Sequence, residues 1–208
     1  PQRVSEDLDL MVDVRVRPLA LPRMLSALDD LGFSEASISH DEVAHRFSRG
    51  RTNVDVLAPD GVGWRADLRT VGAARTVEVG GGSYALTRSG PVSVSAAGRS
   101  GEVPWPDLMA KAALGLAPDL AGAVLIKAVA AMRDTRRGPE RHLNDLAFLL
   151  SLVEDPIAMR DDLGPNNCTR IRRVTGIHDR GNEAWTLLGD DAAAADGHAA
   201  LRIITQTS

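Results

Sequence analysis

A single cysteine, Cys168, is the entire thiol content of this chain. One thiol cannot close an internal disulfide and cannot supply a thiolate zinc cluster. Such sparing use of cysteine is typical of proteins that work in a reducing compartment. We therefore expect a cytoplasmic protein whose stability comes from its core.

Aromatic residues and excess positive charge are also scarce. Aromatics make up 3 % of the chain, which argues against a base-stacking platform for single-stranded nucleic acid. The formal net charge is −4, so there is no global basic field, and any nucleic-acid contact must come from a local patch.

Long apolar runs are missing too. No stretch reaches the length of about 20 residues that a membrane-spanning helix needs, so we expect no membrane partner. The N-terminus is polar and acidic, without the apolar segment of a signal peptide. The chain begins at Pro1 inside what looks like a motif, so we expect a further natural segment upstream.

The apolar residues that are present, 44 % of 208, suffice for a substantial core. Their periodicity predicts an α+β fold: an N-terminal mixed β-sheet with flanking helices, followed by a C-terminal helical half. We place the domains at 1–103 and 104–208. Predicted strands cover 8–16, 45–47, 52–57, 75–79, 83–87 and 91–96, and predicted helices cover 21–31, 106–116, 120–134, 139–153, 156–162 and 166–177, with a late helix at Trp185 and Leu187.

An acidic pair opens the first predicted strand. Asp7 and Asp9 are two residues apart, and the two-residue period of a strand predicts that they project from the same face. Like charges so placed need an offsetting cation, and magnesium is the usual one because it prefers carboxylate oxygen. The alternative is a solvated pair of charges at a strand end.

A third carboxylate, Asp55, lies inside the apolar strand at 52–57. A carboxylate is costly there unless it is paired or binds a metal. If this strand lies beside the first, the three carboxylates could hold two magnesium ions for in-line nucleotidyl transfer. The alternative is an edge-strand charge that faces water or pairs with Arg46.

The helical half contributes Lys127, in the most apolar helix, and Asp145, where a further helix begins. Lys127 could reach solvent along its stem or contact a phosphate. The two residues could also meet across an antiparallel helix pair as a structural salt bridge.

These elements stand in the order Arg-x-Ser-x-Asp-Leu-Asp at 3–9, Asp55, Lys127, and Arg-His-Leu-x-Asp-Leu at 141–146. In that order the chain resembles the AbiEii-type nucleotidyltransferases of the DNA-polymerase-β-like superfamily, which include the AbiE toxins and the mycobacterial MenT toxins. The similarity covers most of residues 3–153.

The resemblance implies a role for each matched residue. Asp7 and Asp9 would bind Mg²⁺ and Asp55 would be the third acidic position. Lys127 would hold the phosphates of an NTP, and Asp145 would complete the active site.

The resemblance also implies substrates and regulation. Arg3 and Ser5 would lie at the substrate, and Ser5 would be a regulatory phosphorylation site for a cognate antitoxin, possibly kinase-like. A phosphate at Ser5 would add about −1.5 to −2 charges beside the acidic pair and oppose binding of both metal and nucleotide. The implied activity adds nucleotides to the 3′ acceptor end of tRNA and blocks translation.

The sequence departs from the family at one motif. The family carries a Gly-Gly-Ser-type turn before D-x-D, where small residues let backbone amides approach the triphosphate. Nothing precedes Pro1 here. The segment Gly80-Gly81-Gly82-Ser83 comes after D-x-D, and we predict that it is a hairpin turn. We attribute the difference to the missing upstream segment rather than to a defective enzyme.

Arginines near a helix junction are candidates for a tRNA-backbone patch, because phosphate contacts are typical of arginine. We assign Arg133 and Arg141 to substrate binding on this ground; the alternative is a solvated face. The wider cluster includes Arg136, Arg137, Arg170, Arg172 and Arg173.

We therefore expect a magnesium-dependent nucleotidyltransferase, the toxin of a toxin–antitoxin pair. Two alternatives stay open. One is a catalytically inactive relative that binds a nucleotide or a protein, and the other is an enzyme that modifies a small molecule.

Overall fold

The structure is a computed structural model that describes residues 7–36, 38, 43–91, 116–134 and 138–206. It confirms a mixed α+β fold with a mixed sheet and flanking helices. The described residues form two units, one within Pro1–Leu86 and Gly90–Ala117 and the other within Thr87–Ser89 and Pro118–Ser208. The domain boundary expected at 103/104 lies outside the described residues.

The first unit is built on a five-stranded sheet. Its elements are β1 (Asp7–Met11), α1 (Ala20–Asp30), β2 (Ser34–Glu35), β3 (Arg46–Arg49), β4 (Thr52–Pro59), a 3₁₀ turn (Gly63–Arg65), β5 (Val77–Val79) and α2 (Gly82–Thr87). A separate two-stranded sheet joins β6 (Ser89–Pro91) to β7 (Leu116–Pro118).

Strand β4 is the centre of the larger sheet. β1 runs parallel along one of its edges. The other edge is shared by antiparallel β3, at the start of β4, and parallel β5, at its end. β2 then pairs with β3. Within the described part of the chain, no strand pairs with the outer edge of β1.

The sheet has one apolar face, as the alternation in β4 predicts. Val54, Val56 and Ala58 are buried there against the apolar stripe of α1. That stripe, Leu21, Met24 and Leu28, confirms the predicted helix at 21–31. Burial of such side chains contributes about 1.5–3 kcal/mol each, so this contact holds the helix on the sheet.

The segment Gly80-Gly81-Gly82-Ser83 is not the predicted hairpin turn, and the strand predicted at 83–87 is wrong. α2 begins at Gly82 instead. The carboxylate of Asp60 accepts the backbone N–H of Gly81 and of Ser83, both at 3.0 Å, and the Ser83 hydroxyl donates to the Asp60 carbonyl. This long-range cap, absent from the local pattern, favours helix over strand.

The glycines in this turn meet two separate requirements. Gly81 has a φ of 84°, in the left-handed region that glycine adopts most easily. At Gly82, an added Cβ would lie 2.8 Å from Met11 Sδ and 3.0 Å from Pro59 Cα. The start of α2 therefore packs directly against the ends of β1 and β4.

The second unit contains five helices among its described residues: α3 (Leu120–Arg133), α4 (Glu140–Ser151), α5 (Pro156–Arg172), α6 (Glu183–Thr186) and α7 (Asp191–Thr205). The predicted helices at 120–134 and 139–153 are confirmed, and α6 carries the buried Trp185. The predicted pair at 156–162 and 166–177 corresponds to α5, which has a break at Gly164 just before Pro165. The alanine-rich segment 190–197, for which no helix was predicted, supplies the N-cap and the first turns of α7.

The core of this unit lies where α4 and α7 cross. Leu146, Leu150, Leu201 and Ile204 have no exposed surface. An added Cβ at Gly197 would lie 3.0 Å from the Ser151 backbone nitrogen, so the two helices approach backbone to backbone. Among the described residues, no helix is both long enough and apolar enough to cross a membrane.

Candidate functional site

The polar face of the larger sheet carries the acidic residues of interest. Asp9 on β1 is the register partner of Asp55 on β4, and Asp55 is the register partner of Arg46 on β3. Register partners project from the same face of a sheet. Asp9, Asp55 and Arg46 thus form one row across three strands, opposite the apolar core.

Asp55 is held by Arg46 through a bidentate ion pair. Arg46 Nε donates to Asp55 Oδ1 and Arg46 Nη2 donates to Asp55 Oδ2, each at 2.7 Å. The Asp55 side chain is 11 % exposed and that of Arg46 is 22 % exposed. Short, parallel, charge-assisted bonds of this kind are strong and fix the plane of the carboxylate. The pairing with Arg46 that the sequence left open is therefore present.

The next row along the face is also polar. Asp7 is the register partner of Asn53, and Asn53 is that of Ser48. The Ser48 hydroxyl donates to Asn53 Oδ1 at 2.7 Å. The structure describes the backbone of Asp7 and not its side chain, so its carboxylate enters the argument only through the two-residue period of β1.

Two carboxylates of the first row, those of Asp9 and Asp55, are the candidate ligands for a hard cation. Asp9 is exposed and offers a carboxylate, the ligand that magnesium prefers. Both carboxylate oxygens of Asp55 already accept hydrogen bonds from the Arg46 guanidinium. Over the side chains that the structure describes, no group of three or more potential metal ligands comes together.

Lys127 and Asp145 lie in the helical unit. Lys127 Nζ and Asp145 Oδ2 are 2.9 Å apart, across the packed pair α3 and α4. The two side chains are 32 % and 25 % exposed, so the pair lies at the edge of the helix contact. Lys127 and Asp145 therefore form the structural salt bridge that was one of the alternatives given for them from the sequence.

A second charged group lies close to this pair. Asp134, just after α3, accepts from Arg141 Nη2 at 2.9 Å and lies 3.2 Å from His142 Nε2. Burial lowers the pKa of His142, and the positive charge of Arg141 lowers it further, although Asp134 opposes both effects. The buried Nδ1 of His142 has no hydrogen-bond partner among the described residues. His142 is thus a helix-start contact that favours the neutral form.

Several of the remaining predicted residues fall outside the part of the chain that the structure describes. Arg3 and Ser5 lie outside the described residues, as do Arg136 and Arg137. Arg133 is exposed at the end of α3, and Arg141 is engaged with Asp134. Burial raises the pKa of the Cys168 thiol, which suits a structural residue rather than a nucleophile.

Two carboxylates with clear structural roles were not singled out from the sequence. They are Asp60, which caps α2, and Asp134, which contacts Arg141 and His142. Each acts on a partner through the folded chain, so the local pattern held no signal for it. No family model matches the chain, and searches of curated proteins and of solved structures find no match.

Proposed function

We propose that this chain is a magnesium-dependent nucleotidyltransferase that adds nucleotides from an NTP to the 3′ end of tRNA. The observation that carries the proposal is the register that sets Asp55 directly opposite Asp9 on the polar face of the sheet. An acidic pair and a third carboxylate on one face of a sheet are suited to binding a cation and a triphosphate.

In the proposed reaction, the 3′-hydroxyl oxygen of the RNA attacks the α-phosphorus of the NTP. A new P–O bond forms, the bond to the β-phosphate bridging oxygen breaks, and pyrophosphate leaves. The hydroxyl proton passes to water; Asp55 would accept it only after release from Arg46, which holds both of its oxygens. Magnesium held by Asp7 and Asp9 would neutralise charge that develops on the phosphate oxygens.

The roles of Lys127 and Asp145 rest on the resemblance alone. Lys127 would neutralise triphosphate charge, and its ammonium has three donors, of which one is directed at Asp145. A phosphate oxygen would have to join or replace Asp145 at this ammonium. If the phosphate oxygen joins Asp145, the salt bridge from Asp145 would position the Lys127 ammonium.

The resemblance also supplies the biological setting. We propose a toxin that is inhibited by a cognate antitoxin, with Ser5 as the phosphorylated residue. Negative charge at Ser5, four residues before Asp9, would oppose binding of the triphosphate.

The experiment measures transfer of label from radiolabelled NTPs to total tRNA by the full-length protein. Asp9→Asn should reduce labelling by at least about 100-fold, because the transition-state charge loses its cation. Asp13→Asn is the matched control, since Asp13 is an ion-paired aspartate on the same segment, 3.1 Å from Arg15. Labelling that is equal in the two variants would refute the proposal.

The alternative is an inactive relative that binds a nucleotide or a protein. It is favoured by the ion pairs that already satisfy Asp55 and Lys127. It predicts nucleotide binding without labelled product from any acceptor. Label on an aminoglycoside-type acceptor instead of RNA would identify a small-molecule nucleotidyltransferase.

A further inference from the structure

We infer that an exposed surface of arginines on the helical unit binds the sugar–phosphate backbone of tRNA. The inference rests on the proposed function for the identity of the RNA, and it adds the place where that RNA is held. All members of this arginine surface are exposed residues: Arg172, Arg173, Arg180 and Arg202.

Contacts of two histidines bring these arginines together from separate parts of the chain. His178 Nε2 lies 3.1 Å from the backbone carbonyl oxygen of Arg172, so the loop at 174–182 folds back onto the end of α5. His198 Nε2, on α7, lies 3.0 Å from the carbonyl oxygen of His178. Arg202 is one helical turn beyond His198, on the same side of α7. The end of α5, the loop and the last turns of α7 therefore form one surface.

This surface carries a local excess of positive charge. The segment 163–189 contains four arginines and two acidic residues, Asp179 and Glu183, in a chain whose net charge is −4. Asp179 Oδ1 accepts the backbone N–H of Gly181 at 2.9 Å, and Glu183 lies in the first turn of α6, where a carboxylate is favoured by the helix dipole. Clustered charge of one sign creates a potential that attracts a polyanion.

The arginine surface also differs from the rest of the helical unit in its pairing. Arg88, Arg141 and Arg160 are ion-paired with aspartates at 2.6–3.1 Å. Within the part of the chain that the structure describes, no member of the arginine surface forms an ion pair. Arg172 donates to the Thr169 hydroxyl at 3.4 Å, which leaves its other N–H groups available. These guanidinium groups are thus able to donate to the oxygens of a phosphate.

Helix ends explain only part of this charge. A cation in the last turn of a helix is stabilised by the helix dipole, and Arg172 and Arg202 occupy such positions. Arg173 is the C-cap of α5. Arg180, however, lies in the loop before α6, where no helix end accounts for it.

The chemistry of the surface favours a nucleic-acid backbone over bases or a small ligand. The planar guanidinium matches the geometry of a phosphate, and exposed side chains suit an extended polyanion, whereas a small ligand needs a concave site. Trp185, which packs against His198, is only 3 % exposed and cannot stack on a base. We therefore expect binding that depends on salt and not on base sequence.

The experiment measures binding of fluorescently labelled tRNA to the full-length protein by anisotropy, without NTP, at about 50–200 mM salt. Four phosphate contacts predict a slope of about −3.6 in a plot of log association constant against log salt concentration. The affinity of the wild type should therefore fall about 150-fold over this range.

The double variant Arg173→Gln/Arg180→Gln should bind tRNA at least about tenfold more weakly at about 100 mM salt, with the slope reduced in size by about 2. Arg173→Lys/Arg180→Lys keeps both charges and should keep the slope. The matched control is Arg17→Gln/Arg23→Gln, which removes the same charge from two exposed arginines of the sheet unit and should stay within about threefold of the wild type.

Circular dichroism establishes whether each variant folds. If Arg173→Gln/Arg180→Gln does not fold, the two single variants decide the matter, since each should reduce the size of the slope by about 1.

Two results would overturn the inference and leave the proposed nucleotidyl transfer standing, because no transfer takes place in this assay. One is an affinity and a salt slope in Arg173→Gln/Arg180→Gln equal to those of the control. The other is loss of binding to poly-L-glutamate without loss of binding to tRNA, which would assign the surface to an acidic protein. Wild-type protein that does not bind tRNA at low salt would overturn the inference together with the choice of tRNA as acceptor.

Discussion

The Arg46–Asp55 pair should be a major contributor to the stability of the sheet unit. Removing one partner deprives the other charge of its bidentate ion pair in a poorly solvated position, which costs about 3–5 kcal/mol for a fully buried pair. The exposures of 22 % and 11 % place this pair slightly short of that limit. We expect Arg46→Ala and Asp55→Ala each to lower the free energy of unfolding by about 3 kcal/mol.

A double-mutant cycle isolates the interaction itself. Once one partner is gone, loss of the other removes a charge that has already lost this ion pair, so the double variant should cost less than the two single changes together. We expect a coupling energy of about 2 kcal/mol, in the range for hydrogen bonds to charged groups. Urea denaturation followed by circular dichroism gives the free energies, and hydrogen exchange of the β3–β4 peptides assigns the loss to this unit.

The pair Arg69–Asp67 is a matched control. It has the same chemistry at 2.6 Å, but its side chains are 65 % and 57 % exposed. The side-chain hydrogen bond from Arg69 lowers the pKa of Asp67 to about 2. Because solvent screens exposed charges, a double-mutant cycle on this pair should still give only a small coupling energy. A coupling at Arg46–Asp55 no larger than that of the control would refute the reasoning from burial.

Four further outcomes are expected. Gly82→Ala should destabilise the sheet unit by about 1–3 kcal/mol in urea denaturation, because the added Cβ would contact Met11 and Pro59. Gly61→Ala is the control: an added Cβ there would contact nothing within 4 Å, so this variant measures only the backbone strain at a glycine with positive φ. Gly197→Ala should destabilise the helical unit by a similar amount, since the added Cβ would contact Trp185 and the Ser151 backbone. A loss of unfolding free energy no greater than that of Asp196→Ala, at an exposed residue, would contradict this. The pKa of His142 is lower in the folded chain than in the unfolded chain, so as the pH falls the unfolded chain binds a proton at this residue first. The contribution of neutral His142 to stability is therefore present above pH 6.5 and is lost as the pH falls towards the folded pKa. NMR titration should show a midpoint below 6.5, and His142→Asn should make the free energy of unfolding less dependent on pH over this window. Cys168 should react with iodoacetamide more slowly than a free thiol at pH 8, because burial raises its pKa, and equal rates would contradict this.

Local signals in the sequence were sufficient for many of the elements. The predicted helix at 21–31 corresponds to α1, and the predicted strands at 45–47 and 52–57 correspond to β3 and β4. Alternation within 52–57 also identified the buried face of β4. These features depend on residues close together in the chain, where periodicity and turn chemistry are informative.

The failures have a common physical origin. The helix at Gly82 depends on capping by Asp60, which comes from a distant turn. The helix that begins at Asp191 was not predicted, although it opens with a run of alanines and its N-cap, Asp190, accepts from Ala192 and Ala193. Long-range caps cannot be read from a local pattern, whereas the Asp190 cap could have been.

The candidate site was predictable only as a set of alternatives. A carboxylate in an apolar strand had to find a partner, and the sequence named both a metal and Arg46. Strand register decides which groups share a row, and register between β1 and β4 is a tertiary property. The pairing of Lys127 with Asp145 likewise depends on how α3 packs on α4.

The two halves of the acidic row differ in when they can assemble during folding. Arg46 and Asp55 are nine residues apart on a hairpin, so their pairing requires only a short loop to close. β1 joins β4 from much farther along the chain, a contact of high sequence separation that forms slowly. We therefore expect Asp55 to be neutralised before Asp9 arrives beside it, which spares the nascent sheet the repulsion between two carboxylates.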